Sequence, residues 1–317
     1  MRNTFARELT RLAVEDPRIV MLSGDIGNKL FDDLKRAAPG RFYNCGVAEA
    51  NMTGAAAGLA TMGLRPVTYS ITPFATVRCL EQIRVDLCYQ NLPVVIVGTG
   101  SGLSYAELGP THHSCEDIGL LRTLPNMTIV CPCDPVEVRL ALRAALQHDG
   151  PVYIRLGKKG EPRLYPLDPD FRIGRAITLR DGADACILAT GNAVELALEV
   201  AERLRVEGIA VRVESVHTPK PIDETLLEEL AARHELVATV EEHSLIGGLG
   251  SAVAEWMADR GSSFRLLRFG TEDRFLETTG TQAYAREQFS LTRGRIAVAL
   301  AGALKKLPRC SLRPAVG

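Results

Sequence analysis

The feature that most constrains this chain is a rhythm. Short apolar runs, RIVML at Arg18 to Leu22, PVTYS from Pro66, PVVIVG from Pro93, MTIVCP from Met127 and PVYIRL from Pro151, alternate with segments of helical period. Such runs read as buried strands, and strands that alternate with helices build a parallel sheet covered by helices. The pattern breaks at KKGEPRLYPLDPDFRIG, a charged, proline-containing stretch that reads as a linker. It restarts with DACILAT, the helical AVELALEVAERLRVEG closed by Gly208, the strand IAVRVESV and then ELVATVEE. A chain of 317 residues suits two cores of roughly 150 residues each. The expectation is two α/β domains joined near residues 160–175, the first covering 1–165 and the second 166–317.

The opening MRNTFARELTRLAVEDPRIVML predicts an amphipathic helix and then a strand, without a signal-peptide core. No later stretch approaches about 18 unbroken apolar residues, so no membrane partner and a cytoplasmic location are expected. The tail KLPRCSLRPAVG has no periodicity and is expected to fray. With 37 basic against 38 acidic residues and no basic run longer than a pair, the chain has no electrostatic footprint for nucleic acid. Its partners should be small molecules or proteins. The 8 cysteines are scattered without paired metal spacings, which favours reduced, buried thiols. CPC at Cys131 to Cys133 lacks the second pair a zinc site needs and reads as structural. No fixed-period repeat appears, which excludes a solenoid.

Three glycine clusters, GDIGN from Gly24, GTGSG from Gly98 and GGLG from Gly247, lack the full spacing of a dinucleotide or phosphate loop and are explained by tight turns. ELGPTHHSCED at Glu107 to Asp117 is more telling, because two histidines follow a Gly-Pro turn right after a buried strand. In an open α/β sheet that is the carboxyl edge, where ligands bind. A further residue needs explanation: Glu49 in FYNCGVAEANMTGAAAGLA has no Lys or Arg within a helical turn. Its neighbours are Gly46, Val47, Ala48, Ala50, Asn51 and Met52, small enough for a flat ligand to approach the carboxyl. A carboxylate in such surroundings needs a partner, and desolvation favours sharing a proton with a ring nitrogen.

FYNCGVAEANMTGAAAGLA, PFATVRCLEQIR, LGPTHHSCEDIGLLRTLPNM, VCPCDPVEV, VHTPKPID and VEEHSLIGGLGSAV resemble, in sequence and order, the pyrimidine-binding and carboxy-terminal domains of the transketolase family. The likeness runs from about residue 5 to residue 304. The family's amino-terminal domain, which holds the cofactor diphosphate through a GDG motif, an Asn and a divalent metal, has no counterpart, and GDIGN is only a look-alike. The chain thus resembles the second subunit of a split transketolase, with a separate first subunit expected in an α2β2 assembly and expected to hold Mg2+ or Ca2+.

The resemblance implies thiamine diphosphate bound between two protein surfaces, with Glu49 on N1′ of the aminopyrimidine to favour the imino form that removes the thiazolium C2 proton. It implies Phe74 packed on the pyrimidine with Arg78 bordering it, Asp25 and Ile26 on the thiazolium side, and His112 facing the substrate carbonyl and hydroxyls. Lys158 falls where the family carries a phosphate-binding arginine. The family's donor-reading aspartate is Leu108 here, expected to be buried, and a phosphate-contacting histidine is Gly100. Lys at 158 keeps the charge but loses the bidentate fork. The expected activity is transfer of a two-carbon ketol or related acyl unit from a ketose or 2-oxo donor to an aldehyde. Two alternatives are the β subunit of a 2-oxoacid dehydrogenase E1 component, against which GPTHH and LRTLPNM speak, and a catalytically silent subunit.

Overall fold

The computed structural model describes residues 1–158 and 160–307. The tail from Pro308, with Cys310, lies outside the described residues. Two α/β domains follow one another along the chain. The first has a six-stranded parallel sheet of β1 (Ile19–Ser23), β2 (Phe42–Asn44), β3 (Arg65–Ile71), β4 (Val95–Thr99), β5 (Thr128–Val130) and β6 (Val152–Leu156), in the order β2-β1-β3-β4-β6-β5.

Alternation along each strand feeds a separate core on each face of this sheet. Met21, Val67, Val95 and Ile154 pack under the helices Arg2–Glu15 and Pro135–Gln147, beside Phe5, Leu9, Val138 and Leu142. Val20, Leu22, Ile96 and Tyr153 face the other way, onto Met52, Ala56, Ile83, Leu87 and Ile118. The second domain has β7 (Ile177–Arg180), β8 (Ala185–Ala189), β9 (Val211–Ser215), β10 (Leu236–Ser244) and β11 (Arg265–Thr271), in the order β11-β10-β8-β9-β7, with β7 antiparallel to β9. Helix Ala193–Val206 ends where Gly208, at φ +79°, donates its N–H to the Arg205 carbonyl. Glycine takes that left-handed position at little cost, as the sequence predicted.

Among its described residues the linker carries no helix or strand between Leu156 and Ile177, yet it is pinned. Asp134 Oδ2 accepts from Leu164 N at 2.9 Å, and the Tyr165 hydroxyl donates to the buried Glu137 at 2.7 Å. Of the cysteines within the described residues, six are buried and Cys45 is half-buried. Cys131 and Cys133 belong to different cores, and burial pushes the Cys131 thiol up to about 12. These are unreactive packing residues.

The carboxyl ends of β9 and β10 abut the first domain. Arg155 of β6, 2% exposed, is ion-paired with the fully buried Asp117 at 2.7 Å and donates to the Glu242 carbonyl at 2.9 Å. Burial alone would raise the Asp117 pKa, but the Arg155 charge outweighs it and leaves the carboxyl below its usual value. Glu242 accepts from Leu103 N at 3.0 Å and pairs with Arg286, while His243 Nε2 accepts from Gly119 N at 3.1 Å. First-domain residues therefore pack onto the carboxyl edge of the second sheet.

Candidate active site

In the first sheet the chain leaves β1 towards β2 on one side and leaves β3 towards β4 on the other. The crevice above the carboxyl ends of β1 and β3 is therefore a topological switch point, where open α/β sheets receive ligands. Glu49 stands there, the first residue of helix Glu49–Thr61, 1% exposed. Its carboxyl reaches the turn after β1, because a Cβ added at Gly24 would lie 3.0 Å from both Glu49 Oε1 and Ser70 Oγ. Only a residue without a side chain brings the backbone that close.

Glu49 also has two partners within the chain that its sequence neighbourhood does not reveal. Ser70, at the end of β3, donates to Oε1 at 2.8 Å, and Arg78 Nη1 donates to Oε2 at 2.7 Å. Neither residue is near in sequence, at separations of 21 and 29 residues, and the fold alone brings them together. The pair is lopsided: the Glu49 side chain is 1% exposed while that of Arg78 is 41% exposed. The carboxyl is thus enclosed, with a cation on its outer side.

Arg78 begins a continuous strip. Its guanidinium lies 4.0 Å from the centre of the half-buried Phe74 ring, and Phe74 meets His112 edge-on at 5.4 Å between ring centres. His112 Nδ1 shares a hydrogen bond with Thr111 Oγ1 at 2.9 Å, and its ring meets Tyr105 at 6.4 Å. Lys158 Nζ lies 5.0 Å from the centre of the Tyr105 ring and pairs with Glu107. Glu49, Arg78, Phe74, His112 and Lys158, picked out separately along the sequence, thus form one surface.

Three other sequence candidates sit differently. Asp25, left-handed at φ 57°, is exposed and bound by the Asn44 and Asn28 side chains at 2.8 and 3.3 Å. Those amides, Asn44 foremost, hold its carboxyl below the usual pKa. Ile26 is half-buried against the first-domain core, and Ser23 Oγ donates to its carbonyl at 2.6 Å. Leu108 is 48% exposed rather than buried, because it lies in a short turn, Ala106–Leu108, that runs along the protein's surface. At Gly100 a Cβ would meet the Tyr105 ring at 1.8 Å, so the ring fills the space beside it. Sequence reasoning missed Ser70, Tyr105 and Glu107. Tyr105 and Glu107 flank the GPTHH motif and were within reach, whereas nothing local marks Ser70. Among the described residues no group of three His, Cys, Asp or Glu side chains is placed to hold a metal ion, and no helix is long and apolar enough to cross a membrane.

Comparison with known proteins agrees with this architecture. Residues 1–162 match the pyrimidine binding domain of transketolase, and residues 174–293 match the transketolase C-terminal domain. A 6-deoxy-6-sulfo-D-fructose transketolase subunit of Clostridium sp. strain MSTE9 is 42% identical, over 92% of this chain and 90% of that protein. An apulose-4-phosphate transketolase subunit of Phocaeicola vulgatus is 37% identical, over 86% of this chain and 88% of its own length. Among solved structures, a split gene transketolase described as an inactive β4 tetramer superposes with a TM-score of 0.88 at 39% identity, covering 96% of this chain and 98% of that one. The chain therefore belongs to the transketolase family, of which it carries the pyrimidine-binding and C-terminal domains.

Proposed function

We propose that this chain is the C-terminal subunit of a heteromeric, thiamine-diphosphate-dependent transketolase, moving a two-carbon ketol or related acyl unit from a ketose or 2-oxo donor to an aldehyde. The observation that carries the reading is the enclosed Glu49 carboxyl beside the Phe74 ring at the switch point. The residues fit an aminopyrimidine: the bare backbone of Gly24 lies against the carboxyl, and the half-buried Phe74 ring is linked to it through Arg78, whose guanidinium lies over the ring. When bound, the cofactor supplies the carbanion chemistry that no side chain provides. The protein's part is to hold and move protons. Glu49 exchanges a proton with the ring nitrogen, Ser70 fixes the rotamer of its carboxyl, and Arg78 closes the outer side. Burial keeps water from levelling the acidity of the pair. His112 is assigned to the donor carbonyl and hydroxyls, Lys158 to an anionic group of the donor, and Asp25 and Ile26 to the thiazolium side.

The diphosphate and its Mg2+ or Ca2+ are assigned to a separate subunit, in an α2β2 assembly, with the domain boundary of this chain at residues 165/166. That both relatives are transketolase subunits supports a second chain, and the inactive β4 tetramer fits a subunit that needs one.

The test is Glu49→Gln in the reconstituted complex. The amide is nearly isosteric, and the half-exposed Arg78 stays hydrated when its partner loses charge, so assembly should be unchanged by sedimentation. Turnover should fall at least about a hundredfold, as expected for a lost acid-base group. Exchange of the cofactor C2 proton at the wild-type rate in the variant would overturn the role given to Glu49.

A further inference from the structure

The strip of rings has a member that no resemblance assigns. Tyr105 is 7% exposed and lies between His112 and Lys158, touching the first edge-on and the second through its π face. Its ring also excludes any side chain at position 100. Gly100 has φ +75°, and a Cβ there would stand 1.8 and 1.9 Å from two carbons of the ring. A rigid ring cannot yield as the end of a flexible side chain could, so Gly100 and Tyr105 are a matched pair.

The ring is held where it is by its neighbours along the chain. Ser101 donates to the Leu156 carbonyl through both its N–H and its hydroxyl, at 3.0 and 2.8 Å. Leu103 N donates to Glu242, and Ser104 Oγ accepts from Asn192 at 2.8 Å, which ties the loop to the second domain. A flat aromatic spacer therefore separates the imidazole from the ammonium group. An aromatic face attracts a cation and offers no conventional hydrogen bond to a sugar hydroxyl, which leaves the phenolic hydroxyl at the rim as the ring's single polar group. Lys158, paired with Glu107, is steadied over that face.

We propose that Tyr105 is the specificity-determining residue of this site, an aromatic spacer that suits donors with few hydroxyls in the middle of the chain and a terminal anion that replaces Glu107 on Lys158. The proposal rests on the transketolase reading and deepens it. It differs from a packing role, because a packing residue affects all donors alike.

The experiment compares wild type and Tyr105→Leu in the complex with the diphosphate-binding subunit. Each is assayed with two donors that differ only in the terminal anion, D-xylulose 5-phosphate and D-xylulose. The ratio of kcat/KM for the phosphorylated over the neutral ketose should fall at least about tenfold in Tyr105→Leu, because Lys158 loses its seat. Gly100→His alone should be damaging, and combining it with Tyr105→Val should recover part of the activity toward the hydroxyl-rich ketose phosphate, the remaining loss being the strain of a side chain at φ +75°. An equal loss for both donors, with the ratio unchanged, would reduce Tyr105 to packing and overturn the proposal. If wild type transfers from neither donor nor from hydroxypyruvate, it is the transketolase reading that fails. The spacer is then judged on the isolated chain with 13C-labelled histidine. The His112 ring signals should shift in Tyr105→Leu through loss of the ring current, and unmoved signals would refute the arrangement.

Discussion

At the scale of the residue, the sequence announces a buried acid by contrast. A carboxylate among alanines and glycines has no local partner, so Glu49 is legible as a site before any coordinates exist. The identity of its partners is not, because Ser70 and Arg78 approach only when β3 and the turns after it are laid beside β1. His112 stands out as a candidate from its place after β4, while the ring beside it does not, since the Tyr105 ring that fills the space beside Gly100 comes from five residues further on. Leu108 carries its own prediction. A leucine cannot pair a sugar hydroxyl, and its exposed position in the Ala106–Leu108 turn leaves room for a polar group. Where the bound donor and the second subunit shut water out from Leu108, a donor hydroxyl left without a partner costs about 1 to 3 kcal/mol, so the complex should use a deoxygenated donor or a 2-oxo acid at least about tenfold better than xylulose 5-phosphate. Leu108→Asp should narrow that gap. A donor panel that already favours xylulose 5-phosphate and does not change in Leu108→Asp would show that Leu108 does not face the donor.

At the scale of the element, strands buried on both faces were readable because their apolar runs are continuous, and β1, β3, β4, β5, β6, β8, β9 and β10 all stand where the runs predicted. The strands that gave no signal are at sheet edges: β2, β7 and β11 mix exposed and half-buried positions, so burial imposes no clear pattern on them. The end of β10 also builds an unusual helix start. Glu241 is fully buried and accepts from Leu249 N and Gly250 N, at 2.7 and 2.8 Å, at the beginning of helix Leu249–Arg260. Burial pushes its pKa up to about 7 despite those two N–H groups, while burial pushes the adjacent His243 down to about 4. In the unfolded chain a glutamate titrates near about 4.3. The folded value is the higher one, so this contribution to stability is complete below about pH 4.3 and is lost as pH rises through about 7. Urea unfolding of wild type and Glu241→Gln, which both keep His243, should therefore show a stability difference that moves against wild type between about pH 4.3 and 7 and levels off above that. The slope should reach at most roughly 1.4 kcal/mol per pH unit. A difference that stays constant over that range would mean the carboxyl is ionised throughout.

At the scale of the whole molecule, two domains of related layering meet differently with their surroundings. The carboxyl edge of the second sheet is occupied by the first domain, through Arg155, Leu103 and Gly119, whereas the switch point of the first sheet keeps its ring-lined strip. The two-domain plan was legible from the interruption in the rhythm of strands. The way the domains lock was not, because the buried Arg155 and Asp117 lie 38 residues apart and look like ordinary surface charges in the sequence. In the proposed enzyme this chain provides the aminopyrimidine half of the cofactor site and a second subunit the diphosphate half. Most of the binding free energy should then come from metal and diphosphate contacts made elsewhere. Calorimetric titration of thiamine diphosphate with magnesium tests this directly, first into the isolated chain and then into its complex with the diphosphate-binding subunit. Little or no heat of binding is expected in the first case and tight, magnesium-dependent binding in the second. Tight, magnesium-dependent binding to the isolated chain would contradict this division of the site.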